Sequence, residues 1–302
     1  MKPHANNILL TGGNGFLGST IVKCLSTENI TRLGTKNSDI IVDITKGFSD
    51  LPTFDYVIHS AGKAHIVPKT EAEKRDFYDV NVKGTAHLLK ALEQSPILPK
   101  SFVFISSVAV YGAESGTRIK ETQALNAQDA YGVSKIQAEE IVQEWCTKNN
   151  VICGILRLPL LVGANPPGNL GAMIKGIKNG YYFNVAGGKA KKSMVLAEDV
   201  AMIIPKAAEI GGIYNLTDGY HPSFYELSLS IAKQMGKQSV LNMPRFAAVI
   251  LAMIGKFIPK FPINKSKLDK IMSDLTFDDL KAKEMLKWQP TKDLDKLFVK
   301  GE

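Results

Sequence analysis

Ile8-Leu-Leu-Thr-Gly-Gly-Asn-Gly-Phe-Leu-Gly18 decides the fold of this 302-residue chain. A short apolar run breaks at once into glycines at 12, 15 and 18, and a helical pattern follows. Gly12 allows a tight turn off a strand, Gly15 lets the backbone approach a pyrophosphate, and Gly18 lets the helix pack close to the sheet. The helix N-terminus offers unpaired N–H groups and a positive dipole end to the phosphates. By itself the pattern also fits an ordinary glycine-rich βα turn, so the rest of the chain must decide.

Outward from this loop, apolar runs alternate with amphipathic segments. The spacing predicts strands over 7–11, 30–34, 39–42, 55–59, 101–106 and 151–157, and helices over 15–27, 71–94 and 130–148. Such alternation predicts a Rossmann-type, doubly wound parallel α/β sheet with ligands beyond the carboxyl ends of its strands. After Pro159 and Asn165-Pro-Pro-Gly168 the pattern changes. Helices are expected near 170–179, 198–210, 223–235, 245–257, 264–273 and 278–286, with short strands near 194–197 and 213–216. Ser223 with Glu226 reads as a capping box and Asp278 as an N-cap. The expected organisation is a dinucleotide-binding domain over 1–163, joined by a sheet contribution from about 190–216, and a smaller, mostly helical substrate lobe over 164–302.

Composition is that of an ordinary globular protein, 45% hydrophobic and 22% charged. Residues 1–7 hold no apolar run, so no secretory leader is expected. Phe246–Ile254 is the longest greasy stretch and falls far short of the ~20 residues that span a bilayer. It reads as a packed helix, although its basic flanks Arg245, Lys256 and Lys260 also permit a peripheral membrane contact. Cys24, Cys146 and Cys153 fit neither a disulfide framework nor a metal site, and a reducing cytoplasm is the simplest setting. The net charge of +8 suits an anionic ligand such as a phosphorylated cofactor. No nucleic-acid recognition motif appears, and nucleic acid is not expected as a partner.

Three further features fall at expected strand ends or on the helices beside them. Ser106-Ser107 closes a strand and leads into Val110-Tyr-Gly112. Tyr131 and Lys135 lie four apart at the start of a helix, hence on one face. Asn81 is followed by Gly84-Thr85. Free tyrosine, with a pKa of ~10, is a poor base, and a lysine ammonium one turn away together with a bound nicotinamide's charge favours the phenolate. Tyr131 can then exchange a proton with an alcohol or sugar oxygen, Ser107 can hold that oxygen in line, and Lys135 can hold a ribose. Each feature alone has a bland explanation: a half-buried ring beside a solvated lysine, or turn chemistry at a strand end.

Taken together, the chain resembles the extended short-chain dehydrogenase/reductase family, in its NAD-dependent epimerase/dehydratase group. The resemblance rests on Thr11-Gly12-x-x-Gly15-Phe16-x-Gly18, Asp43-Ile44, His59-x-Ala61, Asn81, Ser106-Ser107, Tyr131-x-x-x-Lys135 and Arg157-x-Pro159. It continues through Gly168-Asn169, Lys192-Ser193 and Leu286-Lys-Trp288-x-Pro290, and so covers almost the whole chain. It implies catalysis by Ser107, Tyr131 and Lys135. It implies cofactor contacts from Gly12, Gly15, Phe16, Leu17, Gly18, Asp43 at the adenine, Ile44, Ala61, Asn81 and Pro159. Asn169 and Lys192 should meet a nucleotide-diphosphate sugar, and Lys63 and His65 fall where related enzymes place a substrate-side loop. A homodimer through the helices near 71–94 and 130–148 is a further expectation from resemblance.

Three departures sharpen this. NAD-binding relatives carry an acid at the end of the second strand for the ribose 2′-OH. Here Thr31-Arg-Leu-Gly-Thr-Lys36 has none, while Thr35 and Lys36 can receive a 2′-phosphate, so the cofactor is NADP or NAD with a lean to NADP. Val108-Ala109 stands where sugar dehydratases place an Asp-Glu pair, which argues against loss of water. Lys192 stands where many relatives have Arg, and lysine holds a phosphate only as a point charge. The expectation is a cytoplasmic oxidoreductase acting at C4 of a nucleotide-activated hexose, as a 4-keto-sugar reductase making surface-polysaccharide precursors or, alternatively, a 4-epimerase. A non-catalytic NADP sensor is the remaining reading, and the joint presence of Ser107, Tyr131 and Lys135 argues against it.

Overall fold

The structure is a computed structural model and describes residues 5–64, 66–254 and 265–292. Its strands are β1 (Asn7–Thr11), β2 (Asn29–Gly34), β3 (Ile40–Ile41), β4 (Tyr56–His59), β5 (Ser101–Ser107), β6 (Gly116–Ile119), β7 (Ile152–Leu158), β8 (Leu160–Val162), β9 (Phe183–Val185), β10 (Met194–Leu196), β11 (Gly212–Asn215), β12 (Leu241–Met243) and β13 (Leu275–Phe277). Its α-helices are α1 (Phe16–Cys24), α2 (Glu71–Tyr78), α3 (Gly84–Glu93), α4 (Ala130–Asn149), α5 (Gly168–Asn179), α6 (Ala197–Ile210), α7 (Phe224–Gln234), α8 (Arg245–Ile254), α9 (Lys265–Met272) and α10 (Leu280–Leu286).

Seven strands form one parallel sheet in the order β3-β2-β1-β4-β5-β7-β11. The order reverses between β1 and β4, which opens a crevice at their carboxyl ends. Alternation along each strand sorts side chains onto two faces. Ile8 and Leu10 of β1, Ile58 of β4 and Val103 and Ile105 of β5 meet Leu17 and Ile21 of α1 and Val200, Ala201 and Ile204 of α6. Leu9, Val57, Phe102 and Phe104 face the other way, against Leu88 and Leu92 of α3 and Ala138, Val142 and Trp145 of α4. Both faces are covered, which is why these strands read as near-continuous apolar runs.

The segment expected as one helix over 71–94 is α2 and α3 joined by a single π turn at Asp79–Lys83. Such a turn inserts one residue into the helix and often marks a functional site. Here it carries Asn81, which is 2% exposed. Of the short C-terminal strands, β11 joins the main sheet as expected, but β10 pairs with β8 in a separate ribbon. Two more ribbons, β12 with β9 and β13 with β6, were not foreseen. The capping box at Ser223 and Glu226 is present. Asp278 instead accepts the Leu280 N–H, and Asp279 stands at the N-cap of α10.

Two glycines of the opening motif show why no other residue fits. Gly12 has φ +72°, and a Cβ there would sit 2.7 Å from the Ala61 nitrogen. A Cβ on Gly18 would lie 2.1 Å from the Gly12 carbonyl oxygen. Gly18 therefore packs α1 onto the turn itself, a backbone contact that cannot yield. Gly18→Ala should cost at least about 2 kcal/mol of unfolding free energy, within the overpacking range, measured by urea denaturation. The same stability as the native protein would show that the turn can relax.

Candidate active site

The glycine turn is pinned from beneath by a chain of buried hydrogen bonds. The Thr85 hydroxyl donates to the Asn81 carbonyl (2.6 Å), so it must accept at 2.8 Å from Nε2–H of His59. Nδ1 of His59 is then the acceptor for the Thr11 hydroxyl at 2.6 Å, and Thr11 in turn accepts the Ala61 N–H at 3.1 Å. Burial holds His59 far below its ordinary value, at about 3, so the ring is neutral. One satisfied chain thus fixes the ends of β1 and β4 against the π turn. Asn81 continues it: its side chain accepts the Lys63 N–H (2.7 Å) and donates to the Lys63 carbonyl and to Ser134 of α4.

Above this base lies a cleft of about 480 Å³ at the carboxyl ends of β1, β4, β5 and β7. Gly12, Gly15, Phe16, Leu17 and Gly18 form one wall; Ser107, Tyr131 and Lys135 form another; Pro159, Lys63 and Asn169 complete the rim. Residues scattered over about 160 positions of sequence therefore share one opening.

Asp129 caps α4 by accepting the N–H groups of Tyr131 (3.1 Å) and Gly132 (3.0 Å), which places Tyr131 in the first helical turn. Ser107 lies near enough to its phenol to pull the pKa down, and Ser107 Oγ accepts the Ala109 N–H at 3.2 Å. Burial raises the Tyr131 pKa above the ordinary phenol value, Ser107 opposes this, and Asp129 adds to it. Lys135 is fully buried behind. Its Nζ donates to the Ile105 carbonyl (2.9 Å) and sits 4.5 Å from the centre of the Phe104 ring. Burial lowers its pKa to about 8, against the pull of Glu139. For Tyr131, desolvation is the largest of these contributions, so the phenol sits above its ordinary value.

The other expected residues lie around this centre. Thr35 and Lys36 are exposed in the loop after β2, and Asn14 of the glycine turn ties that loop down by donating to the Lys36 carbonyl (2.7 Å) and the Ser38 hydroxyl (3.3 Å). Asp43 accepts the Thr45 hydroxyl (2.7 Å) and N–H (3.0 Å), which hold its carboxyl below the usual range. Ile44 is buried in the core with Leu88, and Ala61 bonds back to Thr11. Lys63 turns its ammonium onto Asp76 and over the Phe77 ring. Lys192 lines an adjoining apolar pocket of about 240 Å³ that shares Pro159 and Asn169 with the cleft; its Nζ donates to the Lys270 carbonyl (3.0 Å) and burial lowers its pKa. His65 lies outside the described residues.

Sequence reasoning missed Glu139, which continues the i+4 stripe of Tyr131 and Lys135. It is 0% exposed and pairs with Arg157 of β7 at 2.7 Å while accepting the Ser106 hydroxyl. Arg157 also donates to the Tyr111 hydroxyl (3.0 Å), which donates to Asn215 of β11 (2.7 Å).

The cleft fits a dinucleotide by its own geometry. Gly15 is exposed at its floor, α1 points its N-terminus into it, and a Cβ on Gly62 would come within 3.4 Å of Lys135 Nζ, filling space the site keeps clear. Residues 8–216 match the family described as "NAD dependent epimerase/dehydratase family".

The chain belongs to that family.

The match to the NAD-dependent epimerase/dehydratase family runs from β1 through β11 and so spans the whole main sheet. Among curated relatives, the N-acetyl-α-D-glucosaminyl-diphospho-ditrans,octacis-undecaprenol 4-epimerase of Escherichia coli O157:H7 is 26% identical over 92% of this chain and 88% of its own. The UDP-glucose 4-epimerase of Vibrio cholerae is 26% identical over 97% and 93%. Among solved structures, Thermotoga maritima UDP-glucose 4-epimerase with UDP-glucose has a TM-score of 0.73 at 20% identity, covering 96% of each chain. RMD from Pseudomonas aeruginosa with NADPH has a TM-score of 0.72 at 20% identity, covering 97% of this chain and 96% of its own. These neighbours share the fold. Among the described residues no helix is long and apolar enough to cross a membrane, and no cluster of metal-ligating side chains occurs.

Glu139→Ala would strand the Arg157 charge in the interior. It should destabilise the fold by about 3–5 kcal/mol in denaturant titration. The double substitution Glu139→Leu with Arg157→Met should recover much of that loss, since no buried charge is left unpaired.

Proposed function

We propose that this protein transfers hydride at C4 of a hexose carried on a nucleoside diphosphate, and that it runs as a 4-keto-sugar reductase. What carries the reading is the meeting of Ser107, Tyr131 and Lys135 at the inner end of the glycine-loop cleft, with the phenol protonated at rest. A nicotinamide dinucleotide bound along Gly12–Gly18 supplies the hydride. We assign it to residues 1–163 with β11, and sugar selection to 164–302.

Reduction turns a carbonyl oxygen into an alkoxide, which needs a proton. Tyr131 holds one. Ser107 stands beside it to orient the same oxygen, and its Oγ is fixed in turn by the Ala109 N–H. The first-turn position of Tyr131 places the helix dipole's positive end where the phenolate forms. Lys135 has one donor committed to Ile105 and two left for a nicotinamide ribose. Its cation also favours the phenolate as it forms. The N-terminus of α5, with Asn169 in its first turn, and Lys192 across the adjoining pocket offer donors to a diphosphate. The apolar lining of that pocket, including Leu170, Met173 and Phe224, suits a flat base or another apolar tail at the far end. Val108-Ala109 supplies no second acid–base pair, so elimination of water is not part of this reading.

A 4-epimerase would first oxidise the sugar, for which the site must begin with a base. It stands as a second reading because the two curated relatives above are named 4-epimerases. The E. coli relative's name also places the sugar diphosphate on a polyprenol, so a substrate panel includes that carrier. The dimer expected through the 71–94 and 130–148 helices would draw on a mostly polar surface, whose exposed large apolar side chain is Tyr78 of α2.

The test is a panel of UDP-, dTDP- and GDP-linked sugars and their 4-keto forms with NADPH or NADH. Net NADPH oxidation on a 4-keto sugar supports the reductase; interconversion without net oxidation would replace it with the epimerase. Tyr131→Phe should lower kcat by about 10²–10⁴-fold. With the native protein, kcat for reduction should fall as pH rises through about 8, where buried Lys135 loses its charge. A rate that stays flat to pH 10 would remove Lys135 from the mechanism. Lys36→Glu should shift the kcat/KM ratio of NADPH to NADH by at least about tenfold toward NADH, since a 2′-phosphate would meet a carboxylate.

A further inference from the structure

We propose that His221 is a positioning residue for the pocket beside the cleft: its ring holds the Ser193 hydroxyl turned away, and a proton on that ring releases the hydroxyl to a diphosphate oxygen, so that ligand and proton bind together. The pocket is read as a diphosphate site under the proposed function, and this role of His221 rests on that reading. Ser193 lines the pocket beside Lys192 and is 3% exposed. Its Oγ accepts the Phe277 N–H at 2.9 Å and lies 2.9 Å from His221 Nδ1. Among the described residues these are the two partners of the Ser193 side chain. The first is a donor, so the hydroxyl hydrogen goes to Nδ1, and the neutral ring carries its own hydrogen on Nε2.

The backbone holds that contact in place. Residues 218–224 are stitched to 190–194 by three bonds: Asp218 N–H to the Met194 carbonyl (2.7 Å), Lys192 N–H to the Pro222 carbonyl (3.1 Å) and Phe224 N–H to the Ala190 carbonyl (3.1 Å). Asp218 folds the loop by accepting the Tyr220 N–H (3.2 Å) and the His221 N–H (3.1 Å). Among the described residues, the charged groups facing the ring are Asp218 of its own loop, Asp278 and Asp279 ahead of α10, Lys283 of α10 and Arg118 of β6. Lys283 is paired with Asp279 (2.7 Å) and Arg118 with Asp278 (3.0 Å). The ring therefore sits between matched pairs, and burial, the largest influence, pushes it below its ordinary value.

Protonation reverses the contact. Nδ1–H then donates to Ser193 Oγ, whose two acceptor positions are filled, and the hydroxyl hydrogen turns to the pocket that Ser193 lines. A diphosphate oxygen there gains a donor, and the imidazolium gains a counter-charge. Each event favours the other by the same free energy. Affinity is thus greatest below the His221 titration and falls as pH rises through it.

Proton NMR of the full chain tests it, using the tightest binder among UDP-glucose, dTDP-glucose and GDP-mannose, whose diphosphates keep a constant charge near neutral pH. The chain has five histidines, and the C2–H signal missing from His221→Asn is that of His221. Saturating ligand should raise its titration midpoint by at least about 0.5 of a pH unit, and the dissociation constant should rise about threefold or more as pH passes through it. Asp218, pushed up to about 6 by burial, titrates in the same window, so the His221 signal itself assigns the proton. His221 has φ +55°, which asparagine tolerates, so His221→Asn keeps the loop and an acceptor for the hydroxyl without a proton site. It should keep the native melting temperature and high-pH affinity and lose most of the threefold change. Ser193→Ala should lose most of the midpoint shift; a full shift there means that the charges act through space, and overturns the proposal. If Ser193→Ala fails to fold, nitrogen-15 NMR of the unliganded native protein decides, since a hydrogen on Nδ1 of the neutral ring overturns it equally. Bound ligand with an unmoved midpoint removes this inference alone. Failure of all three sugars to bind at about 1 mM removes the nucleotide reading of the pocket, and this inference with it.

Discussion

The structure depends on one buried carboxylate. Glu139 is withdrawn from water at the centre of α4, where an unpaired charge could not stay ionised. It is held there by the Arg157 guanidinium and the Ser106 hydroxyl. These partners belong to β7 and β5, so the pair locks α4 against two neighbouring strands. The distance between Ser107, at the end of β5, and Tyr131, on α4, is set by that lock. Through Tyr111 and Asn215 the same network reaches β11 at the edge of the sheet. Burying such a pair contributes little net stability, because desolvation cancels much of the attraction. Its value lies in geometry: one carboxylate ties α4 to both β5 and β7.

A second polar chain, from Thr11 through His59 and Thr85 to Asn81, does the same for the cofactor side. The two chains meet at the cleft, the first behind Lys135 and the second beneath Lys63. Ser107, Tyr131 and Lys135 therefore stand on a strand end and a helix rather than on loops, a placement that keeps the geometry of a site tight. Burial then sets the resting protonation states. It raises the Tyr131 pKa above the ordinary phenol value and lowers that of Lys135 to about 8.

Much of the site was legible because its signals are local. Gly12, Gly15 and Gly18 satisfy a turn and a helix contact within seven residues, and Tyr131 and Lys135 share a face by helical periodicity alone. Ser107 was readable from its place at the end of an apolar run. The polar networks were not legible in the same way. Glu139 reads as one more helical acid until Arg157 is folded against it, and His59 is an ordinary strand-end histidine until Thr11 and Thr85 close on its two nitrogens. The ribbons β6 with β13 and β9 with β12 escaped notice because three or four residues are too few to show a period, and their partners lie far away in the chain. The π turn at Asn81 escaped because one inserted residue hardly disturbs a helical pattern.

The sequence by itself determined the sheet and the glycine turn, since each rests on periodicity or on backbone demands that only certain residues meet. Tertiary structure decided the rest. It showed that Gly18 contacts the turn rather than the sheet, that desolvation raises the Tyr131 pKa, and that β10 leaves the main sheet to pair with β8. Each of these depends on which surface is removed from water and by what. Burial is a property of the whole packed chain, and no local stretch carries it.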